Sequence, residues 1–308
     1  MTSTSKPRQL TVGLAQIAPR LGDVDANLNK HLQFTSEAAN QGVELLLFPE
    51  LSLTGYSLQD LTAEVACHPS VDDPVFAPLL EAGTLHKMDL VVGFVEEDIR
   101  YRYHIAAAYL SDGRIVHVHR KVYLPTYGLF DEGRYFGAGH QIRAFETRWG
   151  RTGMLICEDF WHMSPPYLLW LDGADLMLFM SASPGRGLPH GSKPRSHAAD
   201  DSLGAVGGRL DSTRFVERIH QSYAAAFTCF VIHCNRVGYE DGVNFWGGST
   251  CFGPDGELIT QAPYFEESLV TATLDLAMLR RVRQRLPLLR DERPELTLRE
   301  LQRITSGK

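Results

Sequence analysis

Arg151-Thr-Gly-Met-Leu-Ile-Cys157-Glu158-Asp159-Phe160-Trp161 is an apolar run that stops on a thiol and two carboxylates. The run has the length and composition of a buried strand, so its last side chains stand at the rim of a sheet. A thiol has a pKa near ~8.5 and is mostly protonated at neutral pH; it becomes a nucleophile only beside a base or a cation. The same position also suits a small buried hydrophobe, so the cysteine alone decides nothing.

Two other strand ends offer the missing partners. Leu45-Leu-Leu-Phe-Pro49-Glu50 closes on a carboxylate, and Val116-His-Val-His-Arg-Lys121-Val-Tyr-Leu-Pro125 carries an amine. As a base, Glu50 would take the thiol proton and later activate water. Lys121 would set a fixed positive charge beside a developing oxyanion, with backbone N–H groups after Cys157 as further donors. Such a set suits attack on a polarised carbon bound to nitrogen, in an amide or a nitrile. Periodicity by itself also allows Glu50 and Lys121 to be exposed strand ends.

Outward from these segments, the pattern predicts strands at 9–17, 43–48 and 89–95, with helices at 26–41 and near 74–87. Asp112-Gly113 joins runs 103–110 and 114–119 as a hairpin, and Trp149-Gly150 joins 141–148 to 151–157. A short helix at 167–171 and a buried strand at 175–180 follow. Next comes a helix with Phe215, Ile219, Ser222 and Ala226 on one face, and then the strand 229–235. Pro254-Asp-Gly256 is a turn signature between 248–252 and 257–260; a strand at 267–274 and a helix at 276–285 complete the pattern. Hairpins interrupting an α/β alternation imply mixed sheets with helices outside them.

The 308 residues are 44% apolar and 22% charged, the composition of a globular protein able to bury a full core. A net charge of −7 argues against a nucleic-acid partner, which needs clustered Lys and Arg. Arg280-Arg-Val-Arg-Gln-Arg285 is short enough to be a solvated helix end or a subunit contact. No run approaches the ~20 apolar residues of a membrane span, and the N-terminus lacks a signal-like apolar region. The five cysteines form no CxxC pair and the count is odd, which fits free thiols in a reducing compartment. The expectation is a cytoplasmic protein without membrane attachment. There is no GxGxxG after a first strand and no GxxxxGK[ST]. His117 and His119 share a strand face, but without a third ligand no metal site is assigned.

Taken together, Leu47-Phe-Pro-Glu50-Leu-Ser-Leu-Thr-Gly55-Tyr56, His119-Arg-Lys121-Val-Tyr-Leu-Pro125 and Leu155-Ile-Cys157-Glu158-Asp159-Phe-Trp161 resemble the three signatures of the nitrilase superfamily of carbon–nitrogen hydrolases. Asn235-Arg-Val-Gly238 and Gly253-Pro-Asp-Gly256 extend the likeness. The resemblance implies a nitrilase-like αββα four-layer sandwich with mixed sheets, an amidase-type hydrolase and no cofactor. It implies Glu50 as general base, Lys121 as stabiliser of the tetrahedral intermediate, Cys157 as acylated nucleophile and Glu132 as a second glutamate positioning Lys121. Residue by residue, Glu132 otherwise suits a loop carboxylate paired with Arg134.

The stretch from Lys121 to Phe136 resembles in particular the glutaminase domain of glutamine-dependent NAD synthetase. That likeness implies a pocket lined by Tyr56, Tyr127 and Phe130, with Glu158, Ser181 and Ser183 holding a polar, glutamine-like amide. No SGGxDS-type loop occurs, so the expectation is a chain that does not itself make NAD. The alternatives are an ammonia-supplying subunit of a separate synthetase and a nitrilase acting on a nitrile. Residues 1–285 are expected to form the hydrolase domain, with 184–210 as a flexible insertion or lid. Residues 286–308 are read as a C-terminal tail or oligomerisation arm, and the resemblance implies a homo-oligomer.

Overall fold

The computed structural model describes residues 9–185 and 212–307. Its first half runs β1 (Gln9–Gln16), α1 (Val24–Asn40), β2 (Leu45–Leu47), α2 (Thr62–Val65), α3 (Phe76–His86), β3 (Asp89–Glu97), β4 (Tyr103–Ser111), β5 (Arg114–Arg120) and α4 (Glu132–Tyr135). The second half runs β6 (Phe145–Thr147), β7 (Gly150–Ile156), α5 (Ser164–Leu171), β8 (Leu176–Ser181), α6 (Ser212–Phe227), β9 (Phe230–Asn235), β10 (Val237–Glu240), β11 (Val243–Trp246), β12 (Thr250–Phe252), β13 (Leu258–Gln261), β14 (Ser268–Asp275), α7 (Ala277–Arg285), α8 (Leu288–Asp291) and α9 (Pro294–Thr305).

The strands form two mixed six-stranded sheets, β14-β1-β2-β3-β4-β5 and β13-β12-β9-β8-β7-β6. Each has three parallel strands at its heart, β1-β2-β3 and β7-β8-β9, flanked by antiparallel neighbours. The last long strand, β14, returns to pair with β1, so the chain's end closes the sheet that its beginning opened.

Period-two alternation sorts the side chains into layers. Leu45 and Leu47 join Leu176, Leu178 and Met180 in a core shared by both sheets. Their neighbours Leu46 and Phe48 turn outward onto Phe76, Leu79 and Leu80 of α3. Met177 and Phe179 turn outward onto Tyr223, Ala224 and Phe227 of α6. Helices outside and sheets inside make the αββα sandwich, and both hairpins expected from Asp112-Gly113 and Trp149-Gly150 are present.

Two departures from the sequence pattern stand out. On α6 the buried row is Thr213, Val216, His220, Tyr223, Ala224 and Phe227, one position round from the stripe read through Phe215 and Ala226. Phe215 remains at the margin, stacked on Trp161 with centroids 4.8 Å apart. Residues 237–246 form a further hairpin, β10-β11, turned by Asp241 and Gly242, both at positive φ. Residues 286–307, within the segment read as a tail or oligomerisation arm, carry α8 and α9, with Leu298, Leu301 and Ile304 exposed. The segment read as an insertion or lid lies, beyond Gly185, outside the described residues.

Candidate active site

Glu50 follows β2, Lys121 follows β5 and Cys157 follows β7, so three sequence-distant segments end at one rim of the sandwich. Close packing brings them there. Gly93 on β3 lies under the Glu50 turn, where a Cβ would stand 2.4 Å from the Pro49 carbonyl oxygen and 2.6 Å from the Leu51 nitrogen. Cys157 has φ 47°, a left-handed conformation that non-glycine residues adopt at a cost and that is common at functional turns.

The three charged groups meet directly. Lys121 Nζ donates to Glu50 Oε1 at 2.7 Å and to Glu132 Oε1 at 2.7 Å, and all three side chains are buried. The second sheet completes the Glu50 shell: the Ala182 N–H donates to Glu50 Oε2 at 2.8 Å. Glu132 is held otherwise. The Tyr56 hydroxyl donates to the same Oε1 that Lys121 contacts, at 2.5 Å, while Oε2 is buried without a partner among the described residues. Arg134 pairs with Asp131 instead of Glu132.

One ammonium facing two carboxylates leaves a surplus negative charge in a dry site. Burial alone would lower Lys121, but the charges of Glu132 and Glu50 prevail and hold it well above the usual lysine value. Burial, with Glu50's charge adding to it, pushes Glu132 up to about 7. The Cys157 thiol lies well above its ordinary value, first through burial and then through Glu50's charge, with Lys121 opposing. At rest the sulfur is therefore a thiol, and its proton needs a nearby base. Glu50 has one oxygen on Lys121 and the other on a backbone N–H, and its charge acts on the thiol.

The remaining residues read from the sequence fall into two groups. Tyr56, Phe130 and Tyr127 form an aromatic wall, with Phe130 edge-on to Tyr56 at 6.4 Å and to Tyr127 at 5.7 Å. Tyr127 donates to both oxygens of Glu158, at 2.9 and 3.1 Å, and is pushed up to about 12, by burial first and then by that bond. Ser181 is drawn inward: its hydroxyl donates to Asn235 at 2.9 Å and meets His233 Nε2 at 2.7 Å. The Ser183 hydroxyl is buried with no partner among the described residues.

Asp159 was not among the residues singled out for the site, yet it ties the lysine segment to the cysteine turn. Its Oδ1 accepts from the Val122 and Tyr123 N–H groups, each at 2.9 Å, and its Oδ2 from the Ile156 N–H at 3.1 Å and from His119 Nε2 at 2.8 Å. A carboxylate directly after Cys157-Glu158 was the available signal. His119 is thereby committed to Asp159, while His117 stacks on Phe145 with centroids 4.2 Å apart. Among the described residues no three His, Cys, Asp or Glu side chains converge as metal ligands would. Among them, no helix is long and apolar enough to cross a membrane.

A two-sheet sandwich with a buried Glu–Lys–Glu cluster beside a thiol defines a carbon–nitrogen hydrolase, and the comparisons agree. The carbon–nitrogen hydrolase family model matches residues 11–284, and the chain belongs to that family. The glutamine-dependent NAD(+) synthetase of Thermotoga maritima is 34% identical over 87% of this chain and 42% of its own length. N-carbamoylputrescine amidase of Arabidopsis thaliana is 25% identical over 96% of both chains. The solved structure of an amidase of the nitrilase superfamily from Nesterenkonia shares the fold, with a TM-score of 0.74 at 23% identity over 94% of this chain and 96% of that one. The chain spans about half the length of the NAD synthetases it matches.

Proposed function

We propose that the chain is a cysteine-dependent amidase acting on a small primary amide, with Cys157 as nucleophile, Glu50 as general base and Lys121 as oxyanion stabiliser. The observation carrying this reading is the 2.7 Å contact of Lys121 with both Glu50 and Glu132, in a buried cluster whose charges act on the Cys157 thiol. Glu50 takes the thiol proton as sulfur bonds to the amide carbon, and negative charge gathers on the amide oxygen beside Lys121. Collapse breaks the C–N bond, and the proton on Glu50 leaves with ammonia. Water then attacks the thioester, passes a proton to Glu50 and releases the acid, and the sulfur recovers that proton.

The reading extends to an amide whose far end is polar. Glu158 follows the nucleophile, held by Tyr127, and suits a substrate ammonium or N–H group, while Tyr56 and Phe130 flank the chain between the two ends. Glutamine and N-carbamoylputrescine, named for two relatives, both combine an amide-type carbonyl with a distant ammonium. Ammonia release across a panel holding glutamine, an N-carbamoyl amine, simple aliphatic amides and a nitrile tests the class. Release from one amide, with Cys157→Ala abolishing both turnover and the acyl-enzyme mass adduct, is the expected result. Turnover retained by Cys157→Ala removes the nucleophile assignment, and acid formed from the nitrile alone moves the reading to a nitrilase.

A second reading, delivery of ammonia to a separate synthetase, is favoured by the likeness to glutamine-dependent NAD synthetases. Recovery of an ATP-using partner with the native protein supports it; glutaminase activity with no such partner under mild conditions counts against it.

A further inference from the structure

The β10-β11 hairpin lies outside the three signature segments, yet it grips the site from behind. Glu240, the last residue of β10, accepts from two consecutive N–H groups, those of Tyr56 at 2.8 Å and Ser57 at 2.6 Å, through one oxygen. Its other oxygen accepts from Arg236 Nη1 at 2.8 Å. The Arg236 guanidinium lies over the Phe245 ring, 4.1 Å from its centroid, and Phe245 meets the Tyr56 ring edge-on at 6.0 Å. Backbone and ring of Tyr56 are thus both held by one hairpin.

Gly55 makes the approach possible. It has φ +82°, and a Cβ there would stand 2.8 Å from Leu21 Cα and 2.9 Å from Glu240 Oε2. The same hairpin also steadies the segment after β8, where the Gly185 N–H donates to the Asn244 carbonyl at 2.6 Å. That segment carries Ala182, the backbone donor to Glu50.

A buried ion pair adds little net stability, because desolvation offsets attraction. Arg236 is fully buried, and its Nε and Nη2 have no partner among the described residues, so desolvation weighs heavily here. What the pair supplies is placement. Glu240 holds Tyr56, Tyr56 donates to Glu132, and Glu132 holds the ammonium that also contacts Glu50.

We infer that Glu240, oriented by Arg236, is a positioning residue of the hydrolase site, acting on the Lys121–Glu132–Glu50 cluster through Tyr56. The inference rests on the amidase reading above, and the test separates the two. Iodoacetamide is the probe, since it forms a C–S bond at a reactive thiol with loss of iodide and needs no knowledge of the substrate. Alkylation at Cys157 is followed peptide by peptide in wild type, Glu240→Gln, Tyr56→Phe and the double variant.

The expected result is a loss of roughly 10- to 100-fold in the Cys157 rate for each single variant, with no further loss in the double. Tyr56's bond lowers Glu132, so both single variants should shift the pH–rate profile upward together. Independent effects that multiply in the double variant, or a Glu240→Gln rate equal to wild type, overturn the inference alone. A wild-type Cys157 no more reactive than Cys67 overturns the amidase reading with it. Should Glu240→Gln not fold, Glu240→Asp takes its place in the cycle, keeping the charge for Arg236 while withdrawing the acceptor from Tyr56 and Ser57.

Discussion

The two sheets have matching strand patterns but bring different chemistry to their common rim. The first sheet contributes charge: Glu50 from the turn after β2 and Lys121 after β5, joined at 2.7 Å. The second contributes the thiol after β7 and a neutral backbone donor, the Ala182 N–H after β8. Neither set is complete alone, and the charged one cannot be buried cheaply without the other, because carboxylates removed from water need donors on each oxygen. The comparison teaches that docking of the sheets is itself a step in building the site, with Asp159 and the β10-β11 hairpin as its cross-ties.

The largest effect that would break this division is removal of the Lys121 ammonium. Lys121→Ala should fold, since the two carboxylates can take up protons, and should lose about 10²- to 10³-fold in kcat, the usual loss for a missing oxyanion donor. Steady-state ammonia release alongside circular dichroism checks it, and near-wild-type turnover would mean that the first sheet's charge is not used in the reaction.

A smaller effect should follow from crowding the first sheet beneath its carboxylate. Gly93→Ala places a methyl against the Pro49 carbonyl and the Leu51 nitrogen, both backbone atoms that cannot rotate aside. The expected cost is about 1–3 kcal/mol of stability, as for other overpacked cores, with activity falling as Glu50 shifts. Urea denaturation with an assay on the folded fraction separates the two; unchanged stability would show that the turn has slack.

The smallest effect is one of pH. Glu132 rises from the ordinary 4.5 to about 7 on folding, so the folded protein binds this proton more tightly than the unfolded chain. Its contribution to stability is full below about 4.5 and is lost as pH rises through about 7. Glu132→Gln should therefore flatten the decline in stability between these values in denaturation curves taken across the window. An unchanged slope would place the surplus charge of the cluster elsewhere.

Much of this was legible in sequence for a definite reason. Glu50 and Cys157 each close a recognisable apolar run and Lys121 an alternating one, and the structure puts each just after a strand. Glu132 was read through its resemblance to a second glutamate, and the structure sets it on Lys121 rather than on Arg134. Less legible were Asp159, whose four donors come from residues 119, 122, 123 and 156, and Glu240, whose two backbone donors lie 183 and 184 positions away. The α6 face was misread because two neighbouring rows are both partly apolar, and the packing of Phe160 and Phe179 beneath His220 and Tyr223 decides between them.

Local patterning therefore determined most of the elements and placed helices outside mixed sheets, since periodicity and turn chemistry act within a few residues, while the four-layer sandwich and the roles of the strand-end groups came from the family resemblance. Tertiary structure decided which of those groups share a proton or a charge. The distances that set these couplings, such as 2.7 Å between Lys121 and Glu50, arise only when two sheets built from separate stretches of chain close on each other and exclude water.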